Sequence, residues 1–157
     1  MQKWYEIIFE GKGYVGLKVC KDDVIRITNI LSEIGIDVPL EGLHVTLIYD
    51  KTNPDINYKP DIKKYVAYPI DIHVMGKPSS DFYSIALILV SDELISKFNS
   101  LKETGFKHSY SEFVPHVSLI YKPTEDQINT ILTNKDYIIH SLKSISFDSE
   151  WNEELHS

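Results

Sequence analysis

The sequence predicts an α+β domain of two lobes, with antiparallel sheets facing each other across a central cleft and helices outside. Three observations lead there. A hexapeptide is written twice, as His44-Val45-Thr46-Leu47-Ile48-Tyr49 and as His116-Val117-Ser118-Leu119-Ile120-Tyr121, 72 positions apart. The segments around the two copies have similar content, in the order β-α-β, loop, β-β, α-β, α-β. No linker or low-complexity segment divides the chain, and 157 residues suit one domain with one core. Residues 1–157 are therefore read as a single domain of two pseudo-symmetric lobes.

Tyr14 to Cys20 reads as a strand. Val24, Ile27, Leu31 and Ile34 recur at helical spacing, so Lys21 to Gly35 reads as a helix that Gly35 stops. Leu43 to Tyr49 is the first motif strand. Asp50 to Lys64, broken by Pro54 and Pro60, reads as a loop with room for a short helical turn. In Tyr68 to Met75, Ile70, Ile72 and Val74 alternate with polar partners, the mark of a strand. After the Gly76-to-Ser80 turn, Phe82 to Val90 reads as the next strand. Ser91 is placed to cap a helix running to about Gly105. Phe113 to Tyr121 holds the second motif strand. Thr124 and Gln127 have capping-box spacing for a helix to about Asn134. Ile145 to Trp151 is the last strand.

Composition narrows the function classes. Apolar residues make up 43% of the chain, which argues against disorder. The longest apolar run, around Ile85 to Val90, is far too short to span a bilayer. Met1 to Glu10 has no signal-peptide layout, because Glu6 and Glu10 flank its apolar part. The single cysteine, Cys20, rules out an internal disulfide, fits a reducing cytoplasm and reads as a packing residue. A net charge of −7 makes long nucleic acid a poor partner, since that binding rests on phosphate neutralisation. A small nucleotide needs only a few local donors. No Cys/His cluster has zinc spacing, and no metal or other cofactor is called for.

Within each hexapeptide, His and Thr/Ser stand at i and i+2. On a strand those positions share a face. Two such strands side by side would line one cleft with two imidazoles and two hydroxyls, which is equipment for acid–base chemistry on a phosphodiester. Tyr49 and Tyr121, at odd offsets from both groups, are read as core residues pointing the other way. His73, His108, His140 and His156 are read as structural or surface groups. Lys51 and Lys122 are read as solvated lysines, with phosphate attraction at the cleft mouth as the alternative.

The motifs His44-Val45-Thr46-Leu47 and His116-Val117-Ser118-Leu119 resemble the signature of the 2H phosphoesterase superfamily. Within it, the chain is most similar to the phage anti-CBASS nucleases. It shares their length, the first strand Gly13-Tyr14-Val15-Gly16, a first motif near residue 44, and the acidic, Trp-containing C-terminus Asp148-Ser149-Glu150-Trp151. The resemblance implies cleavage of the cyclic oligonucleotides, such as 3′,3′-cGAMP or cyclic tri-AMP, that activate antiphage effectors in the host cell cytoplasm.

In the chemistry these residues suit, one neutral imidazole takes a proton from the nucleophile. The other, protonated, donates to the leaving oxygen. Thr46 and Ser118 donate to the phosphate oxygens. The favoured nucleophile is the adjacent ribose 2′-OH, with water as the alternative, and the assignment of acid and base between His44 and His116 stays open. Tyr14 and Trp151 are the candidates for stacking bases. Glu150 or Glu153 would accept from a base amino group, and Glu150 to Ser157 would form a mobile lid. Two rival readings are a 2′,3′-cyclic phosphodiesterase of RNA ends and a non-catalytic cyclic-nucleotide sponge.

Overall fold

Six strands and four helices follow one another along residues 13–56 and 58–155, the part of the chain that the computed structural model describes. The readings made on Met1 to Glu10 and on His156, and the last two residues of the expected lid, lie outside it. In chain order the elements are β1 (Tyr14–Val19), α1 (Lys21–Glu33), β2 (His44–Tyr49), β3 (Tyr65–Met75), β4 (Ser84–Val90), α2 (Asp92–Glu103), β5 (His116–Tyr121), α3 (Glu125–Thr133), α4 (Lys135–Leu142) and β6 (Ile145–Glu153).

The local signals act as their chemistry requires. Ser91 Oγ accepts from Leu94 N–H at 3.1 Å and opens α2. Thr124 and Gln127 close a reciprocal capping box on α3, satisfying two amides that the helix itself cannot. The chain leaves α1 through Gly35 at φ 90°, a conformation that favours glycine. Helix α4 was not anticipated. Ile138 and Leu142, buried at i and i+4, are the periodic signal for it. Between β2 and β3 the described residues form no helix.

All strand pairs are antiparallel, and the strands close into a ring in the order β1-β2-β5-β4-β3-β6. The ring consists of two three-stranded halves, β6-β1-β2 and β3-β4-β5. One seam between them is a single β2–β5 register pair, Val45 with Val117, and the other is three β3–β6 pairs. Two separate sheets were expected; backbone pairing at both seams joins them instead. The inward residues of both halves, among them Val15, Leu17, Val45, Leu87, Val117 and Phe147, are fully buried in one core.

Each half repeats the other in detail. On β1 and β2, Tyr14 pairs with Tyr49, Gly16 with Thr46 and Lys18 with His44. On β4 and β5, Ser84 pairs with Tyr121, Ala86 with Ser118 and Ile88 with His116. Both pairings slip by one residue at the same place, leaving Leu47 and Leu119 as the extra residues of matching β-bulges. The outer strands match too. β6 slips at Asp148 against β1, and β3 slips at Ile70 against β4. The expected alternation in β3 is thereby corrected. Ile72 is buried but Ile70 is exposed, because the bulge breaks the period of two between them, while Val74, in register with Ile72, is exposed near the end of the strand.

Candidate active site

A cleft of about 1030 Å³ is lined by residues of both halves, and all four motif side chains, His44, Thr46, His116 and Ser118, stand in it. The two histidines are held in the same way. His44 Nδ1 lies 2.7 Å from the Gly42 carbonyl, and His116 Nδ1 lies 2.9 Å from the Val114 carbonyl. A carbonyl can only accept, so each Nδ1 carries the proton and donates it. Each Nε2 then remains as a lone pair in the neutral ring or as an N–H in the protonated one. Fixing one nitrogen thus sets the tautomer that leaves the other for chemistry.

The two hydroxyls are also held, but by different partners. Thr46 Oγ1 lies 2.7 Å from the Tyr14 hydroxyl, and Ser118 Oγ lies 2.9 Å from Ser84 Oγ. Tyr14 and Ser84 occupy matching places on β1 and β4. Burial raises the Tyr14 phenol above its usual pKa and keeps it protonated. The phenol can therefore donate to Thr46 Oγ1, leaving the Thr46 O–H to donate into the cleft.

An aromatic wall stands on the β1 side. The rings of Tyr14 and Trp151 lie 5.5 Å apart and those of His44 and Trp151 5.4 Å apart. Gly16 pairs with Trp151, and its missing side chain makes the wall possible. A Cβ there would meet Trp151 Cη2 at 2.6 Å and Tyr14 Cε1 at 2.9 Å. Further lining residues form a second aromatic wall, in which Tyr49 contacts Phe82 at 6.2 Å and Tyr110 at 5.5 Å between ring centres. Phe82, Tyr110 and Tyr121 are each more than half exposed.

Tyr49 and Tyr121 both line the cleft. The expectation that they point into the core fails for a physical reason: the bulges at Leu47 and Leu119 turn the following residues over, so each tyrosine rejoins the face of its histidine. Glu150 is a correction of the same kind in the opposite sense. After the Asp148 bulge it pairs with buried Leu17 and its side chain is fully buried, facing away from the cleft. Neighbouring residues of a strand cannot both face one side, so with Trp151 in the cleft Glu150 cannot be there. Glu153 does line the cleft, with Glu154, Asp81 and Glu112. The tail expected as a lid is strand through Glu153, and Leu155 exchanges two backbone hydrogen bonds, of 2.8 and 2.9 Å, with the Asn53 side chain.

His108, read as a structural or surface group, lines the cleft floor. Its Nδ1 accepts from Tyr49 N–H at 3.1 Å, and burial lowers its pKa, so it is held neutral as a support for β2. His73 is exposed and bound to Asp71 at 2.8 Å. Cys20 opens α1 and donates to Asp23 at 3.2 Å, away from the cleft. Lys51 and Lys122 are not among the lining residues, which include no Lys or Arg among the described residues. Those residues also form no cluster of three or more groups able to hold a metal, and no helix among them is long and apolar enough to cross a membrane.

The family model described as anti-CBASS protein Acb1 matches residues 12–157, a span that holds both motifs and all six strands. The chain belongs to this family. It is also similar to the anti-CBASS protein Acb1 of Salmonella phage S16, at 25% identity over 127 residues, 79% of this chain and 81% of the relative. The family assignment covers the whole described fold, so the paired hydroxyls and the two aromatic walls are features of a family member and not of an appended segment. Ser84, Tyr49, Tyr121, Phe82 and Tyr110 escaped the sequence reading. For Ser84 a signal existed, since aligning the strand before each motif sets it beside Tyr14.

Proposed function

We propose that this chain is a metal-independent phosphodiesterase of the 2H type that opens the 3′–5′ linkages of cyclic di- and trinucleotide immune signals. In this reading a phage uses it in the host cytoplasm to escape CBASS defence, as the name of the family suggests. The whole chain acts as one domain, and each of two pseudo-symmetric lobes brings one histidine and one hydroxyl. The observation that carries the reading is the pair of histidines in one cleft, each with Nδ1 tied to the carbonyl two residues earlier.

Chemistry follows from that pair. One neutral imidazole takes the proton of the ribose 2′-OH through Nε2 as the oxygen attacks phosphorus. The P–O5′ bond breaks, and the other imidazole, protonated, gives its Nε2 proton to O5′. The product is a linear oligonucleotide ending in a 2′,3′-cyclic phosphate. Each proton transfer is worth roughly 10²–10⁴-fold in rate. Thr46 and Ser118 donate to the non-bridging oxygens, where charge grows in the transition state. The described lining residues include no Lys or Arg, and the donors they offer the phosphate are these hydroxyls and the protonated histidine.

Two aromatic walls favour a ligand with at least two bases over a single-base RNA end, because each wall offers a separate stacking face. Glu153 and Glu154 beside the Trp151 wall favour bases that carry an amino group, the donor a carboxylate accepts.

The test is incubation with 3′,3′-cGAMP, cyclic tri-AMP and a 2′,3′-cyclic-phosphate RNA end in EDTA, read by mass spectrometry beside His44→Ala and His116→Ala. Linear products that both variants lose are expected. Turnover of the RNA end alone would replace this reading with RNA processing, and binding without turnover would make the chain a sponge. A 2′-deoxy analogue should bind and stay intact; its efficient cleavage would put water in place of the 2′-OH.

A further inference from the structure

The buried side of β6 carries a charge that the proposed chemistry does not use. Glu150 Oε2 accepts from the Tyr58 hydroxyl, and Lys97 Nζ stands 2.8 Å from Oε1. That ammonium also donates to the Tyr58 oxygen and to Asp61 Oδ2, each at 2.9 Å. Among the described residues Oε1 lacks a well-aimed hydrogen bond and faces the charge of Lys97, while the backbone of Asp61 also favours the ionised carboxylate. Burial pushes the Glu150 carboxyl up to about 7. A group this costly to bury calls for a reason.

The other half of the barrel supplies one. Glu150 pairs with Leu17, and the residue that pairs with the matching Leu87 is Ile72. One half fills this core position with an isoleucine, the other with a glutamate. The next residues match as well: Trp151 pairs with Gly16, and His73 pairs with Ala86. Beyond the β3 bulge, Ile72 faces in and polar His73 faces out, so hydrophobicity alone selects that register. Beyond the β6 bulge the preference is reversed. Without the bulge, the alternation begun by buried Ile145 and Phe147 would turn Trp151 inward and Glu150 outward. A buried site that demands a carboxylate favours the observed register at this position, and the Asn152 and Leu155 hydrogen bonds hold the strand beyond it.

We propose that Glu150, with Lys97 and Tyr58, is a positioning unit that fixes the register of β6 beyond the Asp148 bulge and so presents Trp151 to a base of the ligand. Lys97 comes from α2 and Tyr58 from the β2–β3 connection, so three distant segments converge on one carboxylate. The unit touches neither ligand nor reacting atoms. It acts through Trp151, and its effect on the ligand rests on the cyclic-nucleotide reading above.

The test uses the full chain with Trp4→Phe, which leaves Trp151 as the sole tryptophan reporter. Glu150→Gln, Tyr58→Phe and the double variant Lys97→Met/Glu150→Leu are compared with this parent. The double variant replaces the buried pair with apolar side chains, a change that commonly preserves folding. In ligand-free Glu150→Gln and Tyr58→Phe, Trp151 emission should shift to the blue and acrylamide quenching should fall as the ring turns inward, whereas the double variant, with an apolar residue where β3 has Ile72, should keep the parent emission. In the two single variants KM for 3′,3′-cGAMP should rise roughly five-fold or more, the low end of a lost base stack, with kcat within about two-fold. A unit that serves stability alone would lower the melting temperature and leave emission and KM unchanged in the folded single variants. That result overturns the proposal, as does loss of folding in all three variants. If the parent itself neither binds nor cleaves the cyclic dinucleotide, the enzymatic reading fails, and the ligand-free emission still decides the positioning role.

Discussion

The two halves of the barrel share one backbone plan and differ in the side chains that give the cleft its sides. Strands β1-β2 and β4-β5 pair in the same register, with a bulge at the same step, and each places a histidine and a hydroxyl in the cleft. Around that constant pair the β6-β1-β2 half has Tyr14, Gly16 and Trp151, where the β3-β4-β5 half has Ser84, Ala86 and His73. The lesson is a division of labour. The duplicated part suits chemistry that needs two proton-transfer groups facing one phosphate. The divergent part suits recognition, because a ligand with unlike surroundings for its two phosphates needs unlike walls.

The comparison breaks most sharply at the histidines. His44→Ala and His116→Ala should each lower metal-free turnover of a cyclic dinucleotide by roughly 10²–10⁴-fold. The double variant should fall little further, since the two act as a unit. If the halves have distinct roles, each single variant should lose a different limb of the bell-shaped pH–rate profile; loss of the same limb in both would make the roles interchangeable.

A smaller effect separates the outer strands. Trp151→Ala should weaken binding of a 2′-deoxy cyclic dinucleotide by about 1–3 kcal/mol in calorimetry. The matching change His73→Ala should leave affinity alone, because His73 is exposed and bound to Asp71. Equal losses would mean that the second half recognises the ligand through the same strand position.

Smaller again is the contrast between Gly16 and Ala86. Gly16→Ala forces a methyl into Trp151 and Tyr14 and should raise KM several-fold, by less than losing the whole stack costs. Ala86→Gly should cost only about 0.5–1 kcal/mol of stability in urea unfolding, with KM unchanged.

The smallest effect is a pH dependence of stability from His108. Burial, then the Lys102 charge, lowers its pKa below the usual histidine range, against the opposing pull of Asp50. The folded protein therefore binds fewer protons than the unfolded chain over the window beneath about 6.5. This contribution is complete above that value and is lost as pH falls through the folded pKa. Melting temperatures taken between pH 7 and 5 should fall more steeply for the parent chain than for His108→Gln; identical slopes would remove His108 from the account.

Much of this molecule was legible in its residues. The duplicated hexapeptide located both motif strands, the capping residues Ser91 and Thr124 located two helix starts, and periodicity located α1. Neighbours that share a strand face by simple alternation, such as His44 with Thr46 and His116 with Ser118, came out in one cleft. Legibility ended at the bulges. Tyr49, Tyr121, Ile70 and Glu150 were all assigned to the wrong face, and each lies at or just beyond a slipped register. A bulge depends on the strand alongside as much as on the bulged segment, so one strand read alone continues its period of two.

The sequence by itself determined the described elements except α4, their order and the chemical groups on offer, because propensity, capping and spacing act within a few residues. The tertiary structure alone decided that the strands close into one ring, that Trp151 and not Glu150 enters the cleft, and that Ser84 supports one hydroxyl as Tyr14 supports the other. Those outcomes depend on cross-strand register and on which side chains meet across the core, and both arise only when segments far apart in the chain are packed together.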